Sequence, residues 1–544
     1  MTAPLDTTSN TAGWLTRGAR LHGEQVAIIA DKSGRRLTYQ ELDRWTDALA
    51  RGLRGRGIEK GRRTLVLVRA GIDLIGLTYA LFKAGAVPVL IDPGMGRNQF
   101  LRCVEDLAPT AFVGIPIGHA IRLLFPKAFR SVTTWVTAGP RLFWTGPTLA
   151  GLAKTPGDPQ MARVGDDEEA AVLFTSGSTG PAKGVVYTHG MFNAQVRELR
   201  AIYDFRPGEV DLAAFPLFSL FDLAFGMTSV IPDLDPSRPG TCDPAKVGRA
   251  LRKYHCTTAF GSPAIWRRVA PWAVENGVTF PELKRILVAG AAVPPSLVAQ
   301  LHRCLPAGDV GTPYGATESL PVANQWGMEI VGETAKASLA GRGTCVGKPA
   351  PGITVRILGI TDDPIREWAD ARVLPPGEIG EITVLGDVVT REYANRPDAN
   401  AAAKIVVETG GTGGAKRVVW HRIGDLGYID DVGRLWFCGR KSERVETATG
   451  PLYTDCVEGS VADVVGGRRV ALIGMGARGA EEPAICVEGP SDTAIRASLA
   501  ARGYAVLFRP TFPVDVRHNA KIHRLQLKAW AEAQTALVPA GKVA

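Results

Sequence analysis

Residues Thr175 to Gly184 read TSGSTGPAKG and follow the apolar run AAVLF, residues 170–174. Thr175, Ser176, Ser178 and Thr179 supply hydroxyl donors, and Lys183 adds a positive charge. Gly177 and Gly180 permit tight turns and close approach of backbone N–H groups to a ligand. A loop of this chemistry suits a polyphosphate. Its spacing is not the G-x-x-x-x-G-K-[ST] of a Walker loop. The competing reading is a flexible surface loop, which would not need five hydroxyl or lysine positions behind a buried strand.

Such a loop must be held by a sheet, and the flanking sequence supplies one. In LTYQELDRWTDALARGLRGRG, residues 37–57, Thr38 followed by Glu41 forms a capping-box signature ahead of apolar residues at helical spacing. TLVLV (64–68) predicts a buried parallel strand, 72–84 a helix, and VPVLID (87–92) the next strand. This is a βαβ unit. The alternation recurs at AAVLF, at TTAF (257–260) with a helix after it, and at RILVAG (285–290). From about residue 345, short alternating runs separated by Pro and Gly, ITVRIL (353–358) and GEITVLG (380–386), predict a small β-rich subdomain. Beyond Arg440 the patterning is again mixed. The expected architecture is α/β. A large N-terminal domain, 1–440, holds two α/β lobes and the β-rich subdomain, and a small α+β domain follows at 441–544.

Composition narrows the function. At 544 residues the chain exceeds one compact core, and 45% apolar with 22% charged residues excludes wholesale disorder. The net charge of +9 is scattered rather than gathered in a tract, which favours anionic ligands in general over nucleic acid. Eight cysteines without metal or redox spacing read as thiols of a reducing compartment. The N-terminus lacks a signal-peptide pattern. The most apolar stretch, Thr64 to Asp92, is interrupted by Arg69, Asp73 and Lys83, so no transmembrane segment is expected and the location is read as cytoplasmic.

Five ordered motifs then resemble the adenylate-forming superfamily of acyl- and aryl-CoA synthetases, peptide-synthetase adenylation domains and luciferases. They are TSGSTGPAKG, LTYQEL with GAVPVLIDPG, YGATES (314–319), HRIGDLGYIDDVGRLWFCGRKSE (421–443) and VDVRHNAKIHR (514–524). The likeness spans roughly residues 25–530 and implies ATP and Mg²⁺ as cofactors. By position it implies that Thr317 touches the α-phosphate, with Gly315 beside it, and that Glu318 holds Mg²⁺. Tyr314 would stack on adenine, Gly290, Ala291 and Ala292 would meet the adenine edge, and Asp425, with Arg440 nearby, would take the ribose hydroxyls. Lys521 would be the catalytic lysine, on a mobile C-terminal domain turning about Arg440 to Ser442. An ammonium there offsets charge gathering on the α-phosphate. Taken singly, Asp425 could cap a loop and Tyr314 could be a core aromatic.

The departures from the superfamily point further. Many fatty acyl-CoA synthetases read P-L-F-H where this chain has Pro216-Leu217-Phe218-Ser219. The hinge position is Ser442, and a Gly-Gly pair along which pantetheine passes is replaced by Ala448-Thr449. The chain most resembles the β-lactone synthetases of bacterial long-chain olefin biosynthesis, including the stretch 215–240. That resemblance implies a 2-alkyl-3-hydroxy long-chain acid as substrate. It is adenylated and then cyclised to a β-lactone with release of AMP and PPi, and other enzymes of the olefin pathway are implied as partners. Phe218, Ser219 and Phe221 could line the acyl pocket or belong to the core. Two alternatives stay open. One is a long-chain acyl-CoA synthetase or acyl-AMP ligase, which release of PPi does not distinguish but CoA dependence does; the other is an inert scaffold, which failure of ATP–PPi exchange would show. Intact Lys521, Glu318 and Asp425 argue against the scaffold.

Overall fold

The Thr38 hydroxyl accepts the Glu41 N–H, and the Glu41 carboxylate accepts the Thr38 N–H at 2.8 Å. The expected capping box thus starts the helix Tyr39–Arg54. In this computed structural model, residues 9–175, 182–409, 416–514 and 522–536 are described. Strand Arg63–Leu67, helix Ile72–Ala84 and strand Val87–Leu90 form the predicted βαβ unit, with parallel register from Arg63↔Val87 to Val66↔Leu90. They belong to a six-stranded sheet whose edge is built by Glu169–Thr175 and its antiparallel partner Lys183–Thr188.

Helix Ile72–Ala84 is buried on every side except at Asp73, because helix Tyr39–Arg54 covers the face turned away from the sheet. Its one buried charge is Lys83. The ammonium bonds Asp43 at 2.6 Å and Asp47 at 2.7 Å, two carboxylates one helical turn apart on Tyr39–Arg54. The lysine that interrupts the apolar run is thus a clamp between the two helices.

The second sheet carries both the second lobe and the β-rich segment. Strands Thr258–Gly261 and Arg285–Val288 lie in it as a parallel pair, as the second lobe requires. The β-rich segment, however, does not form a sheet of its own. Strand Thr344–Pro349 pairs with Ser319–Trp326 through Ala323↔Pro349 and Asn324↔Lys348, so both parts join in one sheet of fourteen strands, thirteen on a continuous path and Lys404–Thr409 beside it. The hairpin Asp309–Ala316 and Ser319–Trp326 is the joint between them.

After Arg440, the strands Val470–Met475, Glu482–Glu488 and Ala505–Arg509 form a separate three-stranded sheet. Helices Thr454–Val461 and Arg524–Ala536 pack on it around Leu472, Ile485 and Leu527. The first of these helices also lies on residues 338–342. There Gly459 allows contact, since a Cβ would come within 2.6 Å of the Ser338 carbonyl.

Replacing Lys83 by Met keeps the stem but leaves Asp43 and Asp47 without their cation. Removing one partner of a buried ion pair costs about 3–5 kcal/mol. Lys83→Met should therefore shift the urea midpoint down by that energy, whereas a loss below about 1 kcal/mol would show that the clamp does not hold the helices together.

Candidate active site

Ala316 pairs with Ser319 across the hairpin, so Thr317 and Glu318 form a two-residue tip. Gly315 is required just before it, because a Cβ would stand 2.5 Å from the Ser319 carbonyl oxygen. One residue further back, the Tyr314 hydroxyl donates to Asp425 Oδ2 at 2.6 Å. Asp425 also meets Arg440 Nη1 at 2.9 Å, its register partner on the neighbouring strand. Strand pairing alone brings the three together: Asp425 lies in Lys416–Ile429 and Arg440 ends Leu435–Arg440. Burial, and then the Asp425 charge, hold the Tyr314 phenol protonated well above its usual range. Asp425 in turn raises the Arg440 pKa against the cost of its burial.

The tip is held from two other segments. The Tyr187 hydroxyl, on strand Lys183–Thr188, donates to the Thr317 carbonyl. The Tyr393 hydroxyl donates to Glu318 Oε1 at 2.7 Å, and the Thr390 N–H donates to the Glu318 carbonyl at 2.8 Å. Residues 389–394 pair on both sides, with Ser319↔Val389 on the hairpin and Val185↔Tyr393 on the phosphate-loop strand. Lys183, the last charged group of the sequence loop, has its ammonium 4.9 Å from the centre of the Tyr393 ring.

Behind Tyr393 is Lys404, almost fully buried. Its ammonium bonds the Thr390 carbonyl, reaches the Thr390 hydroxyl at 3.1 Å, and lies 5.4 Å from the same ring. Burial pushes its pKa down to about 7, with Glu318 opposing and Lys183 reinforcing the shift. Neither Tyr393 nor Lys404 was singled out from sequence. The available signal was an aromatic and a lysine eleven residues apart, which carries no periodicity and no motif chemistry.

The remaining sequence candidates are placed as follows. Thr175 ends the strand Glu169–Thr175, while Ser176, Gly177, Ser178, Thr179, Gly180 and Lys521 lie outside the described residues. Gly290, Ala291 and Ala292 form the turn after Arg285–Val288, with Gly290 at φ 96°. Phe218 stacks on Phe260 at 4.1 Å between centroids and is buried. Ser219 is fully buried and accepts a hydrogen bond from Ser229 at 2.8 Å; Ser229 also reaches Asp222 at 2.6 Å. Phe221 packs partly buried near Phe192 and Phe218. Of the wider apolar stretch, Leu223 and Phe225 are core, and Phe215 is half-exposed.

Beyond Arg440 the chain turns at Lys441–Glu443. Arg524 bonds Glu443 at 2.8 Å and Glu458 at 2.6 Å, and Val514 and Ile522 face each other in a bridge. The base of the segment bearing Lys521 is therefore tied to the turn after Arg440. Ala448 and Thr449 form a two-residue turn between Val445–Thr447 and Gly450–Leu452, closed by the Thr447 hydroxyl on the Gly450 carbonyl at 2.7 Å. Neither adopts a positive φ.

The arrangement can take a nucleotide triphosphate and a hard cation. Glu318 and Thr317 offer oxygen donors at an accessible tip. No cluster of three metal-ligating side chains exists among the described residues.

A profile of the AMP-binding enzyme family matches residues 15–394. An olefin β-lactone synthetase of Stenotrophomonas maltophilia strain K279a is 47% identical over 96% of this chain and 98% of its own length. One from Xanthomonas campestris pv. campestris is 46% identical over 97% and 99%. In structure the chain is similar to ATP-bound MatB from Rhodopseudomonas palustris, with TM-score 0.76 at 19% identity over 97% of this chain and 99% of that one. It is also similar to o-succinylbenzoate CoA synthetase from Bacillus subtilis in complex with its acyl-adenylate intermediate, with TM-score 0.74 at 20% identity over 95% and 97%. The chain belongs to the AMP-binding enzyme family, the AMP-forming ligases, and within it to the olefin β-lactone synthetases.

One contact between the C-terminal region and the large sheet titrates. The Thr344 hydroxyl donates to Asp455 at 2.6 Å, and burial raises the Asp455 pKa to about 6. Because the folded carboxyl binds its proton more tightly than the unfolded one, its stabilising contribution is full below about pH 4 and lost as pH rises through 6. Asp455→Asn keeps the acceptor and removes the charge. It should raise stability by about 3 kcal/mol at pH 8 and by little at pH 4. Equal melting temperatures of variant and parent at pH 8 would contradict the assignment.

Proposed function

We propose that this ligase adenylates a 2-alkyl-3-hydroxy long-chain acid and closes it to a β-lactone. The observation that carries the reading is the end-to-end likeness, at 46–47% identity, to two olefin β-lactone synthetases. In the first step a carboxylate oxygen attacks the α-phosphorus of ATP and pyrophosphate leaves. In the second, the 3-hydroxyl oxygen attacks the acyl carbon and gives up its proton, and the bond to AMP breaks. The internal hydroxyl enjoys a high effective concentration, which helps offset ring strain.

The proposed roles are these. Thr317 and Lys183 are assigned to the phosphates, and Asp425, bonded to Arg440 and Tyr314, is assigned to the ribose diol. Tyr314 and the turn Gly290–Ala292 are assigned to adenine, and the hydroxyl loop 175–180 to the β- and γ-phosphates. Mg²⁺, held by Glu318, would neutralise phosphate charge when bound. Lys521 is assigned to the α-phosphate, and residues 1–440 and 441–544 to the two domains that bring it there. Phe218 and Phe221 remain proposed neighbours of the acyl chain.

Two features support an internal acceptor over CoA. The Ala448–Thr449 turn is cross-bonded where relatives carry a glycine pair, and Ser219 is a buried hydrogen-bonded hydroxyl where many carry histidine. Against this, relatives at 24–28% identity include CoA ligases, such as a feruloyl-CoA synthase of an Amycolatopsis species at 28%. Other enzymes of the olefin pathway are the proposed partners. No helix among the described residues is long and apolar enough to cross a membrane.

With a synthetic 2-alkyl-3-hydroxy acid, ATP and Mg²⁺, NMR should detect a β-lactone with AMP and PPi, and CoA should give no stimulation. The acid lacking its 3-hydroxyl should stall as bound acyl-AMP. A thioester accumulating from either acid would make the chain an acyl-CoA synthetase.

Lys521→Ala should cut ATP–PPi exchange about a thousandfold. An ammonium some 4 Å from a phosphate oxygen contributes roughly 4 kcal/mol at an effective dielectric near 20. Retention of more than about a tenth of the exchange rate would remove Lys521 from the role.

A further inference from the structure

Residues 389–394 do more than connect strands. They run between the hairpin tip and the phosphate-loop strand and pair with both, through Ser319↔Val389, Val185↔Tyr393 and the Ala394 N–H to the Gly184 carbonyl at 2.8 Å. Tyr393 lies where these pairings converge. Its backbone is fixed by Asn400, whose side chain accepts the Tyr393 N–H at 2.7 Å and donates to its carbonyl at 3.1 Å. Its ring is buried between two ammonium groups, Lys183 at 4.9 Å and Lys404 at 5.4 Å. Its hydroxyl reaches Glu318 Oε1 at 2.7 Å.

We propose that Tyr393 is a positioning residue for the metal-bound nucleotide, orienting the Glu318 carboxylate through its hydroxyl and the Lys183 ammonium through its ring face. The inference rests on the reading of Glu318 as the metal carboxylate. A carboxylate on a free tip would sample several rotamers, and each departure from the metal-facing one weakens binding. A donor fixed at both ends of its own backbone removes that freedom while leaving Oε2 for the cation. The ring adds a second constraint, because a cation over an aromatic face is held by the ring's negative face. Lys404 acts from behind. Its bonds to Thr390 anchor the residue whose N–H holds the Glu318 carbonyl.

Electron paramagnetic resonance of Mn²⁺, titrated into the full chain with α,β-methylene-ATP, reads metal affinity without turnover. Tyr393→Phe keeps the ring and removes the hydroxyl. It should weaken Mn²⁺ about tenfold, as loss of a hydrogen bond to a charged group does, with the melting temperature essentially unchanged. Glu318→Gln should weaken Mn²⁺ at least as much, and the double variant no more than Glu318→Gln alone. Glu318→Asp, which retracts the carboxylate from Tyr393 without touching the tyrosine, should also lose affinity. Should Glu318→Gln bind Mn²⁺ like the parent, the metal reading fails and the positioning role fails with it. Should Glu318→Gln weaken Mn²⁺ while Tyr393→Phe and Glu318→Asp do not, or should the losses add in the double variant, the positioning role alone is overturned.

Discussion

Thr317 and Glu318 form a two-residue turn at the point where the lobe bearing the phosphate-loop strand and the long fourteen-stranded sheet come together. A turn this short cannot shift without breaking the Ala316↔Ser319 pair behind it. Tyr187 and Thr390 fix its two carbonyls from opposite sides. Four of the groups assigned to the nucleotide are set relative to this tip by strand pairing. Tyr314 lies a few residues back on the same strand and locates Asp425, while Lys183 begins the strand that carries Tyr187. Among the described residues, strand register places Tyr314, Asp425, Arg440 and Lys183.

The charges are arranged to suit that rigidity. Asp425 and Arg440 neutralise each other in a buried environment where either alone would be costly, and Tyr314 adds a neutral donor. At the tip, two ammonium groups and one carboxylate lie about a single tyrosine, a preorganised set of charges suited to the proposed polyphosphate and its cation. Such preorganisation is worth more than the same groups free to reorient. The buried lysines differ in purpose. Lys83 is saturated by two carboxylates and serves only the fold, whereas Lys404 is bonded to neutral oxygens and borders the site.

The local elements were legible in the sequence because local chemistry specifies them. The capping box at Thr38 and Glu41, the helix 72–84 and the strands of the first βαβ unit fall within two residues of their predicted bounds. What sequence missed is non-local. The β-rich character of the stretch was legible, but nothing in ITVRIL or GEITVLG announces that a neighbouring strand will pair at Ala323↔Pro349 and join it to the second lobe's sheet. Lys83 read only as a polar interruption, because its partners lie on another helix. Tyr393 and Lys404 gained meaning only once three segments converged on Glu318. Phe218, Ser219 and Phe221 shared an apolar stretch, yet their surroundings in the fold differ from one residue to the next.

In the proposed reaction the carboxylate is activated at the α-phosphate and the hydroxyl then closes the ring. An acid carrying ¹⁸O in both carboxyl oxygens, incubated with ATP, Mg²⁺ and the enzyme, tests it by mass spectrometry of both products. Attack of the carboxylate on the α-phosphorus moves one labelled oxygen into AMP and leaves one in the lactone carbonyl, with the unlabelled hydroxyl oxygen in the ring. Lactone retaining both labels, beside unlabelled AMP, would mean that the hydroxyl was activated and displaced instead, and would contradict the account.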